Sequence, residues 1–185
     1  MIYVTFDDGP EPEVTPLVLE ILDKYDLKAT FFCVGENVEK HPDIYNEVLK
    51  RGHKTGNHTF NHLKGVSVST DEYVANVEKA AERIDSKLFR PPYGRISYRQ
   101  KRALQKRYVI VMWDIITQDY NNKLSPNTIL RNIKQYSRNG SIVVFHDSLK
   151  AEKNMLIVLP LAIEYWKLKG YRFGVLWEES VVGNL

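Results

Sequence analysis

The sequence predicts an α/β protein: a parallel sheet of about seven strands, wrapped by helices and curled into a closed or nearly closed (β/α) barrel. Three observations predict it. Short β-branched or aromatic runs alternate with helical patterns from end to end, with no separate block of strands. The apolar residues between those runs recur at the 3.6-residue period of helices that face a core. The polar residues of chemical interest fall just after the strand-like runs, where β/α barrels gather their sites.

The first strand, Ile2 to Phe6, runs straight into Asp7 and Asp8, and Gly9-Pro10 stops it. Neighbouring residues at a strand end point in different directions. One carboxylate is thus free to hold a cation while the other takes a proton. Val14, Leu17, Val18, Ile21 and Leu22 form the first helical set, and Ala29 to Val34 the second strand. Gly52 suits a helix end, and His53 to Gly56 reads as a weaker strand. Tyr73, Val77, Ala80, Ala81 and Ile84 follow a helix start at Thr70. Leu88 to Arg90 is the next strand and leads into Pro91-Pro92-Tyr93-Gly94. Two prolines fix that backbone and Gly94 permits an unusual turn, so the Tyr93 N–H is held at a set angle.

The Lys/Arg-rich stretch from Tyr98 to Arg107 reads as the solvated face of a helix, and Tyr108 to Trp113 as a strand followed by Asp114 and Asp119. Ser125-Pro126 opens a helix carrying Ile129, Ile133 and Tyr136. Ser141 to Phe145 is a buried strand that ends on His146-Asp147. Leu159, Ala162, Ile163 and Trp166 form the last helical set, Gly140 and Gly170 suit helix ends, and Tyr171 to Leu176 is the last strand.

With 185 residues, 43% hydrophobic and 26% charged, the chain is expected to form one domain over residues 1–185. Its formal net charge of +3 is small, and no aromatic residues interleave with the basic stretch, so nucleic acid is not an expected partner. No apolar run approaches the ~20 residues of a membrane span. The first strand begins at the second residue, leaving no room for a signal peptide. The compartment stays open: cytoplasmic as written, or exported with the export segment absent. Cys33 is the only cysteine, which excludes an internal disulfide and reads as a buried thiol. The glycosylation sequons at Asn57 and Asn139 are assigned to chance.

His58 and His62 stand four apart in Gly56-Asn57-His58-Thr59-Phe60-Asn61-His62. If this stretch turns helically, both imidazoles project from one face, a spacing that suits a divalent metal. Thr59 occupies the place of the Glu found in the metalloprotease helix, so that chemistry is not indicated. With Asp8 the set becomes Asp-His-His, with coordination positions left for water and a substrate oxygen.

In their order and placement these strings resemble the polysaccharide deacetylase family (carbohydrate esterase family four). Thr5-Phe6-Asp7-Asp8-Gly9-Pro10 and Arg90-Pro91-Pro92-Tyr93-Gly94 are specific to it, and the likeness runs from Ile2 to about Val175. The resemblance implies a distorted, TIM-barrel-like (β/α) fold and a metal triad of Asp8, His58 and His62, usually zinc, with cobalt or nickel also accepted. It implies Asp7 as catalytic base held by Arg90, His146 as general acid oriented by Asp119, and the Tyr93 N–H facing the oxyanion. Pro91, Tyr93, Tyr120 and Val144 are implied at the substrate, the last two lining an acetyl-methyl pocket. Ile116 stands where many members carry another carboxylate, and Tyr120 where many carry Trp. The link to His146 thus rests on Asp119 alone, and the pocket shape bears on substrate preference.

The implied activity is metal-dependent hydrolysis of N-acetyl groups on N-acetylglucosamine-containing glycan, chitooligosaccharide or peptidoglycan, with release of acetate. Two alternatives stay open: an O-acetyl esterase acting on xylan-type polysaccharide, and a non-catalytic glycan-binding protein. A serine hydrolase is not indicated, because no Gly-x-Ser-x-Gly elbow is present. The oligomeric state is left open, and a monomer is compatible with the sequence.

Overall fold

The computed structural model describes residues 1–177. Seven parallel strands run in the spatial order β5-β4-β3-β2-β1-β7-β6. They are β1 (Ile2–Asp7), β2 (Thr30–Cys33), β3 (Lys54–Asn57), β4 (Leu88–Phe89), β5 (Val109–Ile110), β6 (Ile115–Ile116) and β7 (Ser141–His146). An eighth, β8 (Phe173–Gly174), lies off this path and pairs with the start of β1 through Ile2 and Tyr3. Helices α1 (Thr15–Lys24), α2 (Gly35–Lys40), α3 (Pro42–Lys50), α4 (Thr70–Ala81), α5 (Tyr98–Leu104), α6 (Pro126–Tyr136) and α7 (Glu152–Leu168) connect them.

The sheet is a curled half-barrel, since β5 and β6 end the ladder without pairing with each other. The strand expected over Tyr108–Trp113 accounts for the opening. Only Val109 and Ile110 pair, and the chain resumes pairing at Ile115. Between them, side chains take the backbone groups that a ladder would use. The Arg90 guanidinium donates to the carbonyls of Val111 and Met112, and the Asp114 carboxylate accepts from the Ile142 N–H at 3.0 Å.

Alternation along the strands sorts side chains into two layers. Ile2, Val4 and Phe6 face outward with Phe31, Val143 and Phe145. They pack under α1, α6 and α7 in one cluster that includes Val18, Leu22, Ile129, Ile133, Leu159 and Trp166. Tyr3 and Ile142 face inward, where Phe32, Leu88, Val111 and Leu176 form an apolar floor. The inward positions above that floor are polar: Thr5, Asp7, Arg90 and His146, all nearly inaccessible to solvent. The barrel interior is thus apolar at the amino ends of the strands and charged at their carboxyl ends.

Helix ends follow local chemistry. Ser125 caps α6 by accepting from the Thr128 N–H, with Pro126 at its first turn, as expected. The α4 cap is Ser69 rather than Thr70, again through a side-chain oxygen. Gly52 and Gly170 follow α3 and α7 with φ of 81° and 76°, whereas Gly140 lies beyond the Ser137 cap of α6, in the turn into β7. The basic stretch forms α5, with Arg99, Lys101 and Arg102 exposed. Cys33 is buried, and burial pushes its thiol pKa well up. No helix among the described residues is long and apolar enough to cross a membrane.

Candidate active site

The site forms at the carboxyl end of β1 and its neighbours. Asp7 and His146 are register partners across the β1–β7 ladder, so both side chains leave the same face at the same level. Asp8 follows with φ of 85°, and this left-handed turn carries its carboxylate away from Asp7. Its carbonyl accepts from Asn37 Nδ2 at 2.8 Å, which fixes the turn.

Arg90, at the end of β4, is completely buried. Its Nη1 donates to Asp7 Oδ1 at 2.6 Å and to Thr5 Oγ1 at 2.8 Å, and its guanidinium lies 3.9 Å over the Phe32 ring. Burial lowers the Arg90 pKa, and the Asp7 charge and hydrogen bond oppose that shift. The pair is a short, desolvated ion pair that aims the Asp7 carboxylate.

Asp8, His58 and His62 converge, with one donor atom of each lying within 4.8 Å of the others. His62 Nε2 is 3.3 Å and His58 Nε2 3.7 Å from Asp8 Oδ1. The two histidines do not share a helix face. Residues 58 to 64 form a loop in which Thr59 and His62 adopt φ of 66° and 56°. Side chains at the end of β3 hold that loop: Asn57 Oδ1 accepts from the Thr59 N–H, and Thr59 Oγ1 from the Leu63 N–H. The helical turn considered from the sequence is replaced because these local bonds satisfy the backbone better at left-handed positions.

His58 Nδ1 lies 2.7 Å from the Arg90 carbonyl, an acceptor, so Nδ1 carries the hydrogen and Nε2 presents its lone pair toward Asp8. Burial lowers the His58 pKa against the opposing charges of Asp7 and Asp8, favouring the neutral ring. Two imidazole nitrogens and one carboxylate are a donor set that fits a divalent cation with positions left open.

His146 is held by both carboxylate oxygens of Asp119. Its Nδ1 lies 2.7 Å from Oδ1, and its backbone N–H donates to Oδ2 at 2.9 Å. Burial alone would lower the His146 pKa. The Asp119 hydrogen bond and charge, with the charges of Asp8 and Asp7, outweigh it and raise the value to about 9. Tyr120 stands edge-on to the His146 ring at 4.8 Å. Val144 lies two residues before His146 on the same face of β7 and is fully buried.

The segment after Arg90 turns tightly. Tyr93 adopts φ 60°, ψ 8°, and Gly94 φ 63°. A Cβ on Gly94 would meet the Trp113 ring at 2.5 Å, so no other residue fits there without displacing it. Pro91 and Pro92 are buried beneath, while Tyr93 is exposed and packs edge-on against His62 at 4.7 Å. Every site residue named from the sequence thus reaches one end of the half-barrel.

Four supporting residues were given no role from the sequence. Thr5 shares the Arg90 guanidinium with Asp7. Thr117 Oγ1 donates to the Val144 carbonyl, and Asn154 Nδ2 donates to the Asp119 carbonyl. Asp147 is buried and accepts from the Gly9 N–H at 3.1 Å and the Thr15 hydroxyl at 2.7 Å, tying the turn after Asp8 to β7. Burial, with the Asp8 charge, pushes its pKa up to about 8 against those two bonds. An asparagine among the apolar positions of α7 and a carboxylate directly after a buried strand were the signals available.

Fold and site together define an α/β half-barrel in which Asp8, His58 and His62 could hold a metal ion, with a carboxylate–histidine pair beside them. The polysaccharide deacetylase family profile matches residues 1–113. A peptidoglycan-N-acetylglucosamine deacetylase of Bacillus cereus is 37% identical over 95% of this chain and 66% of its own length. Chitin deacetylase 2 of Saccharomyces cerevisiae is 36% identical over 90% of this chain and 54% of its own length. The crystal structure of the Bc1960 peptidoglycan N-acetylglucosamine deacetylase superposes with a TM-score of 0.89 at 36% identity, covering 95% of this chain and 85% of that one. The chain belongs to the polysaccharide deacetylase family. It spans about half to two thirds of the length of the first two of these relatives.

Proposed function

We propose that this protein is a metal-dependent N-deacetylase. It removes acetyl groups from N-acetylglucosamine units of peptidoglycan or chitooligosaccharide and releases acetate. The observation that carries this reading is the clustering of Asp8, His58 and His62 donors within 4.8 Å, flanked by the Asp7–Arg90 and Asp119–His146 pairs. Zinc suits the two imidazoles and one carboxylate best, with cobalt and nickel as substitutes.

Asp8, His58 and His62 would hold a divalent ion, which when bound would supply Lewis acidity toward the acetyl carbonyl and a lowered pKa for water. Asp7 accepts the proton of the attacking water at its carboxylate, while the Arg90 guanidinium holds that carboxylate in place. The Tyr93 N–H donates to the oxygen on which negative charge develops, a contact typically worth ~10²–10³ in turnover. His146 enters protonated and transfers its proton to the amide nitrogen as the carbon–nitrogen bond breaks. Tyr120 and Val144 line the pocket for the acetyl methyl, and Pro91 borders the substrate.

The test is acetate release from a glycan panel after reconstitution with zinc, cobalt or nickel, with Asp8→Ala as control. Activity on N-acetylated oligomers that vanishes in the variant is expected. Full activity in the metal-free protein would reject the reading. Acetate from O-acetyl xylan but none from chitooligosaccharide would reassign the enzyme to ester hydrolysis.

A further inference from the structure

Beside the site lies a second concavity that the reaction does not use. It has a volume of about 650 Å³, and residues 122–126, 149–150 and 152–154 line it. These segments follow β6 and β7, so the cavity opens on the same end of the half-barrel as His146. Tyr120 links the two, its ring lying 4.8 Å from the His146 ring and 5.7 Å from Lys150 Nζ. Lys150 therefore stands within about 11 Å of the His146 ring, the span of a disaccharide. Asn154, in the cavity wall, donates to the Asp119 carbonyl and so touches the group that holds His146.

The charge of the cavity is one-sided. Lys123, Lys150 and Lys153 line it and are exposed, against the single carboxylate of Glu152. None of these three ammonium groups has an ion-pair partner among the described residues, whereas Lys28, Lys40 and Lys50 each have one. Unpaired cations around a concavity attract anionic ligand groups. A neutral N-acetylglucosamine polymer offers none. A glycan in which N-acetylglucosamine alternates with a sugar bearing a lactyl ether carboxylate offers one on the neighbouring unit.

We propose that this lysine-lined cavity is a carboxylate-binding subsite. It selects acidic, muramic-acid-containing glycan over neutral N-acetylglucosamine oligomers, and it rests on the deacetylase reading above. Lys150 takes the carboxylate nearest the reacting sugar, and Lys123 and Lys153 widen the cationic field.

The experiment compares kcat/KM on length-matched oligosaccharides, one alternating N-acetylglucosamine with N-acetylmuramic acid free of peptide, the other all N-acetylglucosamine. The proteins are the zinc-loaded wild type, K150Q, and the triple variant K123Q/K150Q/K153Q. The wild type is expected to prefer the acidic oligomer. The triple variant should lose roughly fivefold to thirtyfold of that preference, the scale of a few partly exposed ion pairs. The preference should also shrink as salt rises. A ratio unchanged by the substitutions, or insensitive to salt, overturns the proposal. If neither oligomer yields acetate, the deacetylase reading fails on its own. Calorimetric titration of the muramic-acid disaccharide against chitobiose then decides the subsite: weaker binding of only the acidic sugar by the triple variant supports it, and equal binding refutes it.

Discussion

Replacing Asp119 by Asn removes one charge and almost no volume from the centre of the site. The structure sets the size of the response. His146 is lifted from 6.5 to about 9 although burial acts against it, and that interval corresponds to about 3 kcal/mol in favour of imidazolium. In the variant burial remains and the opposing carboxylate is gone, so the pKa of His146 should fall to 6.5 or below. The amide also cannot reproduce both bonds. If its oxygen keeps the His146 backbone N–H, its NH₂ faces Nδ1 and the ring must become a neutral acceptor. The reverse orientation sets two donors against each other in a buried site, at a cost of about 1–3 kcal/mol.

Nuclear magnetic resonance titration of His146 in the metal-free protein reads the pKa directly. Because a general acid must be protonated, activity is lost as pH rises through that pKa. The alkaline limb of the rate profile should therefore move down by at least about two pH units in Asp119→Asn. Stability follows the same sign. A raised folded-state pKa stabilises fully below 6.5, and that contribution disappears as pH rises through about 9. Wild type and variant should thus differ by about 3 kcal/mol in the acidic range and converge above pH 9. An Asp119→Asn protein whose His146 still titrates near 9, or whose alkaline limb does not move, would refute the reasoning.

Three further outcomes are expected. Arg90→Met leaves Asp7 buried without a counter-ion and should cost about 3–5 kcal/mol in denaturant unfolding, with turnover lost; a shift under 1 kcal/mol would show that water replaces the guanidinium. In Gly9→Ala the new Cβ meets Asp147 Oδ2 at 2.0 Å, so thermal unfolding should report about 1–3 kcal/mol of overpacking together with weaker zinc binding in competition titrations. Retention of wild-type zinc affinity would detach the turn from the ligand cluster. His53, buried with Nδ1 accepting from the Ala29 N–H and Nε2 without a partner among the described residues, has its pKa lowered to about 4, first by burial. The neutral ring stabilises above 6.5, and this contribution is lost as pH falls toward 4. Unfolding curves across that range should be flatter in His53→Gln than in the wild type, and parallel curves would exclude His53.

The parts of this molecule legible in its sequence are those where one local pattern carries both strand and chemistry. β1 and β7 are apolar runs that end abruptly on Asp7-Asp8 and His146, so strand, layer and function coincide within a few residues. The opposite holds for β5 and β6. Each is two residues long, and what ends the ladder is supplied by Arg90 from β4 and by Asp114 reaching Ile142. No window along the chain contains those partners. α2 and α3 bury few side chains, chiefly Val38, Tyr45 and Val48, too sparse a stripe to register as a period. The loop from His58 to Lys64 shows the limit from another side: the ligand pair was visible, but its left-handed backbone is dictated by bonds from Asn57 and Thr59.

The gap between β5 and β6 carries a consequence for how this molecule meets its own copies. An open parallel sheet exposes two rims of unpaired amide groups, and such rims recruit other chains into shared ladders. Here each rim is two residues long, and the stretch joining them has its carbonyls drawn inward by the same guanidinium that holds Asp7. The charged pair of Asp114 and Arg138 stands at the foot of one rim. The opening of the half-barrel thus offers other chains little free backbone to pair with, and the residue that holds Asp7 also occupies the carbonyls between the two rims.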